Sequence, residues 1–80
     1  MSAIEVVSPL PGTFYRRPAP DSPPFKEDGA AVAVGDVIGL VEVMKNFHEV
    51  QSEVAGAAIH FKVDDADAVM AGQVLALVDP

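Results

Sequence analysis

The sequence predicts an all-β fold, a flattened barrel made of two similar halves. Three observations carry that reading. Valine occurs 13 times against four leucines, and a β-branched side chain suits a pleated surface better than a helix. Glycine and proline end short apolar runs all along the chain, at Pro9, Pro11, Gly12, Gly29, Gly35, Gly56 and Gly72, which is the rhythm of short strands in a sandwich or barrel. Finally, residues 27–42, EDGAAVAVGDVIGLVE, align with residues 64–79, DDADAVMAGQVLALVD, at a constant offset of 37, with seven identities in sixteen pairs. Two copies are too few for a solenoid. They are expected to pack on each other about a pseudo-two-fold axis, with Gly35 and Gly72 in equivalent turns at positive φ.

Taken in order, the predicted strands are 4–8, 12–15, 37–43, 47–53, 57–63 and 74–78. The alanine content of 64–71 suggests a short helix, but the repeat equates this stretch with the turn-and-strand sequence of the first copy. The helix is therefore rejected. Upstream of the repeat the offset changes: Ser8 to Gly12 matches Ser52 to Gly56 at 44. The difference between 44 and 37 leaves seven extra residues in the first half, between Gly12 and Glu27. They fall in 16–24, RRPAPDSPP, where four of nine residues are proline. Proline fixes φ and removes donors, so a stiff, extended protrusion is expected there.

The halves are joined through 41–50, VEVMKNFHEV. Strand-like sequence reaches Val43 and resumes at Phe47, which leaves Met44, Lys45 and Asn46 to turn. A two-residue hairpin turn favours Asn-Gly or Asp-Gly because its central residues need φ > 0. Met-Lys is a poor turn by that rule. A turn held by unsuitable residues invites a functional explanation, and Lys45 at its tip is expected to be exposed.

Eighty residues, half of them hydrophobic, with 24 large apolar side chains outside methionine, supply one small core and a single domain over 1–80. Twelve acids against five bases give a net charge of −7. That disfavours nucleic acid, which needs clustered cations. No apolar run approaches the roughly 20 residues of a membrane span, and the opening Met-Ser-Ala-Ile-Glu is no signal peptide. The lack of cysteine excludes disulfides and thiolate metal sites and fits a cytoplasmic setting. His48 and His60 lie twelve residues apart with no third ligand at metal spacing, so they read as strand-surface residues. Asp64, Asp65 and Asp67 lack the glycine and downstream glutamate of a calcium loop. They read as a solvated turn, and Arg16 and Arg17 as residues at the base of the proline-rich loop. No nucleophile–base pair or phosphate-binding glycine loop is present, so no catalytic residue is expected.

VEVMKNFHEV resembles the biotin-attachment motif Val-Glu-Ala-Met-Lys-Met of biotinyl domains. SPLPGTFYRRPAPDSPPF, residues 8–25, resembles the corresponding segment of the biotin carboxyl carrier proteins of acetyl-CoA carboxylase, where a proline-rich "thumb" projects beside the biotin. The resemblance runs from about Val6 to Val78. It implies a barrel of two four-stranded sheets, the barrel-sandwich hybrid, with Lys45 as the biotin attachment residue and Met44 and Asn46 flanking it for recognition. It further implies covalent biotin on Lys45 as cofactor, and a non-catalytic carrier that is a monomer in isolation. Such a carrier takes its cofactor from a biotin protein ligase and moves a carboxyl group between biotin carboxylase and carboxyltransferase. Glu42 matches the motif glutamate. Val43 replaces alanine, Asn46 replaces the second methionine, and His48 stands where asparagine is common. Two rivals follow: a lipoyl carrier, which shares the fold but usually has Asp-Lys-Ala and no thumb, and an unmodified interaction module, which Asn46 keeps open.

Overall fold

Seven strands form in the computed structural model, which describes residues 3–80; the first two residues of the opening pentapeptide lie outside it. They are β1 (Ile4–Val7), β2 (Gly12–Tyr15), β3 (Val37–Val43), β4 (Asn46–Gln51), β5 (Ala58–Phe61), β6 (Asp67–Val69) and β7 (Val74–Asp79). They build two antiparallel sheets, β1-β7-β5 and β4-β3-β2-β6. No helix forms among the described residues, and the alanine-containing stretch at 64–71 holds β6. Inward-facing Phe14, Ile38, Val41, Ile59, Leu75 and Val78 are fully buried between the sheets. Ile38 and Val41 of β3 and Leu75 and Val78 of β7 all turn inward, and burial of those side chains drives the sheets together.

The pseudo-two-fold predicted from the repeat is visible bond by bond. Val6 pairs with Ala76 as Val50 pairs with Gly39, and both ladders slip just beyond that pair. Buried Ser8 and Ser52 each donate from Oγ to a carbonyl two residues on, Leu10 and Val54, both at 2.6 Å. Their own N–H groups donate to Gln73 and Asp36, both at 2.8 Å. Gly35 and Gly72 sit at φ 89° and 83°, equivalent turns in the left-handed region as expected.

Two expectations are corrected. The first sheet has three strands where four were implied, and its fourth strand survives only as a bridge between Val32 and Gly56. The equivalent pair in the other half, Val69 and Gly12, continues into a ladder. The cause is one extra residue. In the second half Ala57 and Ala58 stand where the first half has Thr13 alone, so two residues face Ala31 and the ladder breaks, resuming as Ile59 N–H to Ala30 O at 2.9 Å. The same residue corrects the size of the insertion. Arg16 and Phe61 are equivalent by register, so residues 17–26 stand against Lys62 and Val63 alone. The excess is therefore eight residues, because Ala57 hid one of them.

Candidate functional site

β3 and β4 pair without interruption from Leu40↔Glu49 to Val43↔Asn46, so the turn contains only Met44 and Lys45. Asn46 opens β4, a correction to its predicted place in the turn. Met44 has φ 49° and Lys45 φ 69°, the left-handed pair that a tight hairpin of this twist demands. An L-residue with a side chain in that region costs roughly 1–2 kcal/mol. The long β3–β4 ladder imposes the conformation on residues that do not favour it. Met44 is 90% exposed, and Lys45 and Asn46 are exposed with it. Among the described residues Lys45 has no ion pair. Its ε-amine stands at the end of that ladder, open to any partner that acylates a primary amine.

The flank of the hairpin is tied to β2. The Tyr15 hydroxyl donates to Glu42 Oε1 at 3.2 Å, and the Tyr15 ring lies 6.3 Å from that of Phe47. That hydrogen bond to the carboxylate, helped by partial desolvation, raises the Tyr15 phenol above its ordinary value. Phe47 remains 58% exposed, so the tip carries apolar surface on either side of the lysine.

Beside the hairpin stands the proline-rich loop. Its base is pinned by Phe25 N–H to Arg16 O at 2.9 Å, and it turns back through Ser22 N–H to Ala19 O at 3.0 Å. The loop is therefore folded over and not simply extended. The Arg16 guanidinium lies 4.0 Å above the Phe61 ring and donates to Lys26 O, which makes it a base residue as predicted. Arg17 does not share that position. It faces a cleft of about 390 Å³ between loop and hairpin, lined also by Tyr15, Phe47, Pro18 and Pro20. Sequence reasoning did not find Tyr15 or this cleft; its signals there were the seven-residue excess and the resemblance to a thumb.

The remaining polar candidates have other partners. His48 is exposed on β4, whereas His60 on β5 contacts Asp79 at 2.9 Å. Asp65 accepts the Arg16 N–H at 2.7 Å and Asp67 accepts the Asp64 N–H at 2.9 Å, so these carboxylates stabilise a turn.

A lysine at a strained two-residue hairpin tip, on a barrel of two symmetric halves, is the arrangement of one known domain type. The family of biotin and lipoyl attachment domains, described as "biotin-requiring enzyme", matches residues 4–78. The chain belongs to this family. Similar proteins include the chloroplastic biotin carboxyl carrier protein of acetyl-CoA carboxylase 1 from Arabidopsis thaliana, 40% identical over 75 residues, which are 94% of this chain and 27% of the relative. The biotin carboxyl carrier protein of acetyl-CoA carboxylase from Haemophilus influenzae is 36% identical over 79 residues, 99% of this chain and 51% of the relative. Its counterpart from Nostoc is 37% identical over 76 residues, 95% and 42% respectively. The chain thus spans between about a quarter and a half of the length of these relatives.

Proposed function

We propose that this biotinyl-type domain is the cofactor-bearing part of a biotin carboxyl carrier protein of acetyl-CoA carboxylase, with biotin in amide linkage to Lys45 Nζ. The observation that carries the reading is the turn itself: Met44 and Lys45 are held at positive φ where Asn-Gly would sit without strain. Such a turn is retained for its side chains. The residues present fit the group: an exposed primary amine at the tip, apolar Met44 and Phe47 beside it, and a cleft within reach of the loop. Biotin supplies the carboxyl-carrying chemistry. The chain's own part is to fix one end of a long arm, so that the tethered group is presented at high effective concentration to biotin carboxylase and then to carboxyltransferase. No acid or base of this chain takes part. A −7 surface suits steering toward basic partner surfaces in transient encounters. The cytoplasmic setting belongs to the same proposal.

The lipoyl reading is disfavoured by the eight-residue loop and by Met44 before the lysine. The unmodified-module reading rests on Asn46, which is exposed and free to contact a ligase directly. Intact mass with peptide mapping, after co-expression with a biotin ligase in biotin-fed cells, decides among them. One biotinyl group on Lys45, absent from Lys45→Arg, is the expected result. A lipoyl adduct or a bare lysine on folded protein overturns the proposal, and Asn46→Met would then show whether that residue is the cause.

A further inference from the structure

A second surface lies away from the hairpin tip, where the first strands of the two halves run along an open seam. β1 and β4 are each the outer strand of their sheet, and between them lies a groove of about 390 Å³. Its apolar lining comes from Ile4, Val6 and Val7 on one side and Val50 and Val54 on the other. Ile4 and Val7 are 39% and 43% exposed, so the β1 wall opens apolar surface to water, whereas Val6 and Val50 are buried beneath it. The rim is acidic: Glu5, Glu49 and Glu53 all line the groove and all are exposed. None of the five cationic side chains of the chain lines it, and neither ion pair among the described residues involves these glutamates.

The geometry points to a docking groove for an extended basic segment of a partner protein, one that alternates apolar with lysine or arginine residues. Three features select that occupant. An outer strand presents unpaired main-chain donors and acceptors, which an added strand satisfies directly. Alternate side chains of an extended segment point to opposite sides, so apolar residues reach Ile4 and Val7 while cationic ones meet the glutamates. The pseudo-two-fold makes Glu5 and Val6 on β1 equivalent to Glu49 and Val50 on β4, so each wall carries an acid beside a valine. Elsewhere the walls differ, because Ile4 and Val7 have His48 and Gln51 as their equivalents, so the exposed apolar contact comes from β1. A second copy of this chain is a poor occupant, because its net charge of −7 would bring acid against acid. At ~3.3 Å per residue, a segment of about four residues matches the length of β1. Such docking would hold the domain by its side and leave Lys45 free.

The test is an amide-resolved NMR titration of the ¹⁵N-labelled chain with the capped peptide Lys-Val-Lys-Val-Lys-Val. Two controls, Lys-Gly-Lys-Gly-Lys-Gly and Glu-Val-Glu-Val-Glu-Val, separate charge from apolar contact. The expected result is shifts concentrated in Ile4–Val7 and in residues 49–54, from the Lys-Val peptide alone. The Glu5→Gln/Glu49→Gln variant should bind about fivefold more weakly, as two exposed charge pairs allow. Both residues are exposed, so its spectrum should otherwise match the parent. Shifts centred on the acidic turn at 64–67, equal shifts from the Lys-Gly peptide, or no loss in the double variant would overturn the groove. Neither outcome bears on biotin attachment, which is read separately by mass.

Discussion

The two halves of the molecule share a backbone plan, and besides the extra residue Ala57 four differences between them separate scaffold from function. Ladders, buried serines and turn glycines repeat between the halves with matching bonds. The proline-rich loop and the Met44, Lys45 turn have no counterpart, and both stand at the candidate site. The other two differences are compensations within the scaffold. Fully buried Phe14 occupies the place of Ile59, and Gly39 that of Ala76. A Cβ on Gly39 would lie 2.5 Å from Cε1 and Cζ of Phe14, so the larger ring is matched by a missing methyl. Asp36 stands where the second half has Gln73. Each accepts a backbone N–H three residues back at 2.9 Å, but only Asp36 is charged.

Removing the unshared loop should have the largest effect. Deleting 17–24 makes the first half resemble the second. It should leave a folded, biotinylated barrel whose carboxyl transfer, assayed with biotin carboxylase and carboxyltransferase, falls about tenfold or more through lost positioning. Unchanged transfer would make the loop a passive insertion. Next comes Gly39→Ala, which should destabilise by about 1–3 kcal/mol in urea unfolding through overpacking. Combining it with Phe14→Leu should recover part of the loss, the remainder reflecting the Tyr15 carbonyl at 2.7 Å. Full additivity of the two substitutions would deny the compensation. Replacing Met44 and Lys45 by Asn-Gly should stabilise the domain by roughly 1–2 kcal/mol while ending biotin attachment. A neutral or destabilising result would mean that the turn is unstrained.

The smallest effect concerns Asp36. The Lys26 ammonium, 2.9 Å away, and then the Ala33 N–H hold its carboxyl below the ordinary carboxylate value. A carboxyl depressed on folding contributes stability above its unfolded value, and that contribution is lost as pH falls through the folded one. Asp36→Asn should therefore lower Tm slightly at neutral pH, and the gap should close on acidification below the ordinary carboxylate range. A gap independent of pH would assign the contact to shape alone, as at Gln73.

Much of this was legible because local sequence and symmetry agree. Valine-rich runs, the Gly35 and Gly72 turns, the rejected helix at β6 and the hairpin around Lys45 all follow from patterns within a few residues or from the repeat. What escaped depends on pairing across the chain. Ala57 looks like any alanine, yet facing Ala31 across the sheet it breaks a ladder and hides one residue of the insertion. Asn46 resembles a turn residue but is claimed by Val43 across the hairpin. Ala66 adopts φ 68° without glycine's freedom, because its N–H is drawn to the Phe14 carbonyl at 2.7 Å. Tyr15 has no local signature at all; its role arises from Glu42, 27 residues away.

The pairing of β1 with β7 also bears on how the chain is threaded. These strands are neighbours as β4 and β3 are, with Ile4 opposite Val78, but only the second pair is bridged by a turn. A short link from the end of β7 to the start of β1 would create a second hairpin related to the first by the pseudo-two-fold. The chain could then be opened in the loop at 17–24, giving a circular permutant on the same core. With Met-Lys built into the new turn, one barrel would offer two symmetry-related amines for acylation.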